Sequence, residues 1–338
     1  MRIAINGYGR IGRCFLRALA EREAQGVKFP FTLVAINDVA DAEDLLYLSQ
    51  YDSTHGVFEG EVSLENGRLH MGGQAPFLFQ KAEPEQLPWQ QLAVDVVLEC
   101  SGVFRGYADA ARHLSAGAKR VLIGAVPFDK ADRFLVYGVN HETLQPEDKV
   151  VSAASCTTHA IAPLLQTLHD AYGVEQVVMT EVHAVTSDQG LLDTHHRDPR
   201  RGRAAGQNIV PTTSSAIGAI QQVLPFLKDR ISGGSIRVPT LNVAMVDLTL
   251  RLQQTPSTEQ INQRFAQEAK RRPTIIGYNT APLVSTDFNH KPESTWLDAT
   301  QTLVQGDMVR VVAWYDNEWG YANRLLDLIT WWAQQLSN

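Results

Sequence analysis

The chain has 338 residues, 44% of them hydrophobic, which is enough to bury a large core and suggests two domains. Its net charge is −7 and its one basic block is residues 197–203 (RDPRRGR), so no nucleic-acid or anionic-membrane partner is expected. Cys14, Cys100 and Cys156 are far apart and form no CxxC pair, which argues against a disulfide framework or a zinc site and for a reducing compartment.

The opening MRIAINGYGRIGR has no signal-peptide apolar core, and no stretch is long enough to span a membrane, so a cytoplasmic protein is expected. Short, continuously apolar runs follow: RIAI at the start, then residues 31–36, 94–98, 120–123 and 134–137. Continuous apolarity predicts strands covered on both faces. Residues 11–22 and 107–116 predict helices between them, giving the βαβ rhythm of an α/β, doubly wound parallel sheet. The pattern changes near residue 150. A helix from about Cys156 to Tyr172 precedes long alternating strands at 177–185, 235–252 and 302–314, which predict a largely antiparallel sheet in an α+β second domain. Residues 187–215 predict a long polar loop, of the kind that usually carries function. Residues 319–336 predict an amphipathic helix.

Gly7-Tyr8-Gly9-Arg10-Ile11-Gly12 follows the first strand and opens a helix, and Asp38 ends the next strand. In that context Gly7 permits the tight turn, Gly9 the approach of a pyrophosphate, and Gly12 close helix–strand packing. The Asp38 carboxylate suits the ribose hydroxyls and repels a 2′-phosphate, so NAD is the expected cofactor. Ser155-Cys156-Thr157-Thr158 sits at a helix start, where a thiolate is stabilised. His183, on the following strand, can pair with it and serve as acid and base.

These segments, with YDSTHG (51–56), RVPTLNV (237–243) and WYDNEWGYANR (314–324), make the chain resemble the glyceraldehyde-3-phosphate dehydrogenase family almost end to end. The resemblance implies a Rossmann-type NAD domain (1–155) with the last helix (319–338) packed back on it, a catalytic domain (156–318) and a homotetramer. It implies that Cys156 is the nucleophile and His183 its partner. Asn317 holds the nicotinamide carboxamide, and the Arg10 and Ile11 backbone meets the pyrophosphate. Ser155, Thr157, Thr186, Asp188 and Arg237 surround the phosphorylated aldehyde. A Thr-Gly-x-x-Lys run usual for the attacking phosphate is replaced here by Ser214, Ser215 and Gly218, which favours water over inorganic phosphate as acyl acceptor. Further departures are Gly124, Ala153, His159, Ala160 and the pair Thr194-His195. Segments 87–92, 98–104, 287–290, 299–302 and 322–327 resemble the erythrose-4-phosphate dehydrogenase branch, whereas 183–193 and 206–213 resemble the glycolytic one. Erythrose 4-phosphate is therefore the expected substrate, with phosphorylating oxidation of glyceraldehyde 3-phosphate as the alternative. A non-catalytic NAD-binding regulator is the remote one.

Overall fold

A computed structural model describes residues 1–335, which form two compact units. Among the described residues, 1–154 and 322–335 belong to the first, and 155–321 to the second. The far end of the predicted last helix, residues 336–338, lies outside the described residues.

The first unit is built on a nine-stranded sheet. β1 (Arg2–Asn6) pairs in parallel with β2 (Thr32–Asn37) on one side and with Val96–Glu99 on the other. Arg120–Ile123, Val150–Ser152 and Arg133–Phe134 continue the parallel order outward. Beyond β2 the strand Phe77–Phe79 is also parallel, but Arg68–Met71 and Val62–Glu65 close that edge antiparallel. The central strands are buried on both faces, as their unbroken apolar runs require. The antiparallel extension and the helix Ala42–Gln50 carry weaker patterns and were not foreseen. The predicted strand at 134–137 shrinks to Arg133–Phe134.

The first helix, α1 (Arg10–Ala24), starts at the glycine turn. Gly7 adopts φ +91°, and a Cβ there would sit 2.3 Å from the Ser101 backbone nitrogen. A Cβ on Gly12 would meet the Gly7 carbonyl at 2.4 Å. Both positions therefore demand glycine. A buried polar chain holds this end of the sheet. The Trp89 indole N–H donates to His113 Nδ1 (3.0 Å), His113 Nε2 meets Glu99 (3.0 Å), and Glu99 accepts from Asn6 (2.6 Å) and from the Ser101 amide (2.7 Å). With Nδ1 accepting, the His113 proton sits on Nε2 and is donated to Glu99.

The second unit carries a mixed eight-stranded sheet whose order is Val210–Thr212, Ile231–Arg237, Val174–His183, Ala244–Leu252, Met308–Tyr315, Thr295–Asp298 and Ile276–Asn279. Leu303–Gln305 pairs with Met308–Tyr315 off this path. Val174–His183 runs parallel to Ile231–Arg237 and antiparallel to Ala244–Leu252. The expected single strand 235–252 is two strands. Pro239, which has no N–H for a ladder, and Val243 at φ +68° turn the chain between them. The expected strand 302–314 is likewise a hairpin, turning at Gly306 with φ +62°. Residues 187–215 are mostly turns, closed by bonds such as Thr194 N to the Gly202 carbonyl (2.8 Å), but they also include the strand Val210–Thr212.

Candidate active site

Cys156 is the first residue of the helix Cys156–Tyr172. Ser155 caps it by accepting from the Thr158 amide (3.1 Å), so the side chain of Cys156 leaves the helix at a defined point. Cys156 Sγ lies 3.6 Å from His183 Nε2 and is only partly exposed. His183 ends the strand Val174–His183, and its register partner is Arg237. That pairing brings Arg237 Nη1 to 2.7 Å from His183 Nδ1. The Ala184 carbonyl is 2.8 Å from the same nitrogen. A carbonyl needs Nδ1 protonated and a guanidinium needs it bare, so only one contact holds at a time. When Arg237 donates to Nδ1, the imidazole proton sits on Nε2 and points at sulfur.

Two features of this geometry oppose the expected thiolate in the free chain. Burial pushes the Cys156 thiol up to about 12, and the nearby Glu181 charge adds to the effect. A helix N-terminus offsets ~1 kcal/mol, or about one pKa unit, which does not reverse the shift. Burial and Glu181 thus both favour the protonated thiol in the free chain. His183 is pushed well below its ordinary value by burial and by the Arg237 charge, so it is neutral. The resting pair is thiol and imidazole, and when Nδ1 is protonated and donates to the Ala184 carbonyl, Nε2 is bare and able to accept the thiol proton.

Glu181 was not foreseen. It sits two residues before His183 on the same buried face of the strand, only 3% exposed. Its Oε1 accepts from the Thr157 hydroxyl (2.5 Å) and the Tyr315 hydroxyl (3.4 Å), and lies 3.9 Å from His183 Nε2. Its Oε2 makes no hydrogen bond among the described residues. Burial acts to raise the Glu181 carboxyl, but His183 whenever it is charged, the Ser214 and Thr157 hydroxyls and Arg237 together hold it below its ordinary value. An acid at an apolar position of an alternating strand was the signal available in the sequence.

The remaining substrate residues are less tightly gathered. Asp188 is exposed and paired with Arg201 (2.8 Å) and His196 (3.4 Å). As an anion it would repel a phosphate, so its effect here is to hold Arg201, which also reaches the Thr212 hydroxyl and the Thr213 carbonyl (both 2.9 Å). Thr186 is half-buried and opens this turn, its carbonyl accepting from the Gln189 amide (2.9 Å). Ser214 accepts from the Ala216 amide (3.3 Å), while Ser215 is exposed and makes no cap with its side chain. No hydrogen bond or ion pair joins Asp188, Ser214 or Ser215 to Cys156 or His183 among the described residues. His159 is buried in the Cys156 helix, its ring 5.5 Å from that of Tyr321, which is a packing position.

The residues of the first unit fit a dinucleotide. No side chain caps α1 at Gly9, and the space where a Gly9 Cβ would go is open for at least 4 Å. A helix N-terminus with open space before it suits a pyrophosphate. The Arg10 side chain is occupied by Asp52 (2.5 Å), which leaves a backbone role for Arg10 and Ile11. Asp38 accepts from the Tyr8 amide (2.6 Å) and the Ala40 amide (3.0 Å), which fixes its carboxylate at the end of β2. In the second unit Asn317 is 7% exposed, and its Oδ1 has no hydrogen-bond partner among the described residues. Asp316 fixes the turn around it, accepting from Asn242 (2.8 Å) and from the amides of His290 (2.7 Å), Glu318 (2.9 Å) and Trp319 (2.7 Å).

Comparison with known proteins agrees with this geometry. Residues 1–107 match the family description "Glyceraldehyde 3-phosphate dehydrogenase, NAD binding domain", and residues 155–317 match its C-terminal domain. The chain is 46% identical over 329 residues, 97% of each chain, to "Glyceraldehyde-3-phosphate dehydrogenase, plasmid" of Cupriavidus necator. It is 46% identical over 327 residues to "Glyceraldehyde-3-phosphate dehydrogenase" of Pseudomonas aeruginosa, covering 97% of this chain and 96% of that one. The match to the chromosomal Cupriavidus protein is 45% over 329 residues, 97% of each. With a glycine turn built for a dinucleotide and a cysteine–histidine pair in the second unit, the chain belongs to the glyceraldehyde-3-phosphate dehydrogenase family and is an NAD-dependent oxidoreductase acting on an aldehyde.

Proposed function

We propose that this chain oxidises a phosphorylated aldose through a thioester on Cys156. The observation that carries the reading is the 3.6 Å contact between Cys156 Sγ and His183 Nε2, with Arg237 in register beside the histidine. His183 takes the thiol proton as sulfur adds to the aldehyde and returns it to the new oxygen. The Cys156 amide at the helix start and His183 stabilise that oxygen. His183 then removes the hydroxyl proton as the carbon is oxidised, leaving the thioester. NAD would supply the hydride acceptor when bound; the glycine turn and Asp38 of the first unit are the residues that would hold it, and the family resemblance assigns Asn317 to its carboxamide. Arg237 receives the substrate's phosphate. A dianion there neutralises the charge that depresses His183, so the imidazole becomes a stronger base once substrate is in place.

The relatives' names, over nearly the whole chain, support glyceraldehyde 3-phosphate as the substrate. They outweigh the five short segments that favour erythrose 4-phosphate, which stands as the second reading. A cytoplasmic homotetramer is proposed on the family resemblance, and the exposed Leu191 and Leu192 of the 187–215 segment suit a subunit contact. The decisive measurement is NADH formation with each aldehyde, with and without inorganic phosphate. Cys156→Ser is expected to lower turnover at least ~10³-fold. A variant that kept its rate would remove Cys156 from the chemistry.

A further inference from the structure

The thioester chemistry above makes no use of Glu181, a buried carboxylate beside the nucleophile whose Oε2 has no hydrogen-bond partner among the described residues. An uncompensated buried charge is costly, and such groups are retained where they are paired or functional. Removing it would cost the Cys156 helix little, because Ser155 caps the helix independently. Its surroundings are particular. Oε1 is fixed by the Thr157 and Tyr315 hydroxyls, and Thr157 is the residue next to the nucleophile. Glu181 and Cys156 approach the same nitrogen of His183, from 3.9 Å and 3.6 Å. The carboxylate therefore borders the place where an acyl group on Cys156 must sit.

Building on the thioester reading above, we propose that Glu181 selects water as the acyl acceptor and is the general base that activates it. When the thioester has formed, His183 holds the proton taken from the hydroxyl and is no longer a base. Glu181 is an adjacent carboxylate still able to take a proton. A water oxygen bonds to the acyl carbon while one of its protons passes to Glu181. The tetrahedral adduct then collapses with cleavage of the carbon–sulfur bond. The departing sulfur takes the proton from His183, Glu181 returns its proton to solvent, and the carboxylic acid product ionises. Thioester, water and protonated His183 thus give thiol, neutral His183, carboxylate and two released protons, with no further redox change. Electrostatics exclude the competing nucleophile. A phosphate dianion would have to approach a buried anion, whereas water carries no charge to repel. Ser215 and Gly218, where the family's phosphorylating members carry glycine and lysine, supply no cation to offset that repulsion; Arg201 is paired with Asp188 and Asp198, and Arg237 is taken by the substrate's own phosphate.

The test is rapid-mixing kinetics of NADH formation with glyceraldehyde 3-phosphate and erythrose 4-phosphate in phosphate-free buffer. Wild type is expected to turn over repeatedly, with added phosphate giving no acceleration. Glu181→Gln is expected to keep a burst near one NADH per site and to lose steady-state turnover by ~10²-fold, with acylated Cys156 accumulating in the mass spectrum. In Glu181→Thr, added phosphate is expected to restore part of the lost rate. A wild type that stops after one turnover until phosphate is added would overturn the proposal while leaving the thioester intact. Full steady-state rates in both variants would overturn it too. A wild type with no burst and no acyl-Cys156 would overturn the underlying thioester reading instead. Thermal melting identifies a variant that has unfolded, and the wild-type phosphate response tests acceptor choice without any variant.

Discussion

A thiol and a carboxylate flank one imidazole nitrogen in this site, and their contest sets the reactivity of Cys156. With burial and Glu181 both raising the thiol, iodoacetamide labelling of Cys156 in the free chain is expected to climb from pH 7 to pH 10 without a plateau. Cys100, raised by burial and by Glu99, stays silent over that range. Glu181→Gln removes a charge that raises the thiol, so at pH 8 the variant should label several-fold faster than wild type. Peptide mapping of the labelled cysteine checks both outcomes, and a plateau below pH 7 would show a thiolate in the resting site. Cys156 and His183 were legible in the sequence because nucleophile, helix start and strand histidine each leave a local mark. Glu181 was not, because its meaning depends on Thr157 and Tyr315, which are distant in the chain. The raised thiol also escaped a local reading: helix position is visible in sequence, but burial is not.

At the scale of elements, the glycine turn separates two effects that sequence alone merges. Gly7 and Gly12 are held by backbone atoms, Gly9 by nothing. Gly7→Ala therefore forces both a left-handed alanine and a clash with Ser101. A loss of about 3 kcal/mol is expected, lowering the melting temperature by roughly 6–12 °C. Gly9→Ala should leave melting unchanged and weaken NAD binding, since its methyl would fill the open space before the helix. Calorimetric melting and NAD titration of the pair check this, and equal destabilisation of both would contradict the geometry. The βαβ alternation and the first helix were legible because buried parallel strands are unbroken apolar runs. The splits at Pro239 and Gly306 were harder to see. Alternation continues across both turns, and period alone does not register a reversal of direction.

For the whole molecule, stability should fall as pH drops below neutral. Asp52 is held below the usual carboxylate range despite burial, by the Arg10 guanidinium and the amides of His55 and Thr54. A carboxyl whose folded pKa is depressed contributes stability above its unfolded value near ~4, and that stability is lost as pH falls. His183 acts in the same sense. It is a base depressed by burial, so folding keeps its full contribution above ~6.5 and loses it as acid charges the unfolded imidazole first. Melting temperature is expected to be flat from pH 7 to 8, to decline gently toward pH 5 and to fall steeply below pH 4. A maximum near pH 5 would contradict both assignments. That two units exist was legible from length and the change of pattern near residue 150. That residues 322–335 belong with the first unit was implied only by the family resemblance, since a terminal amphipathic helix does not announce its partner.

Asp316 has a consequence for the catalytic cycle. Four donors from three separate stretches of chain end on its carboxylate, and Asn317 is the next residue. In the role proposed for it, Asn317 must release one cofactor and receive another in every turnover. Because Asp316 ties the turn down during folding, the entropy of ordering Asn317 is settled once in the life of the chain and not at each exchange. Rapid cofactor exchange and a fixed nicotinamide contact are then compatible, with no segment to refold between cycles.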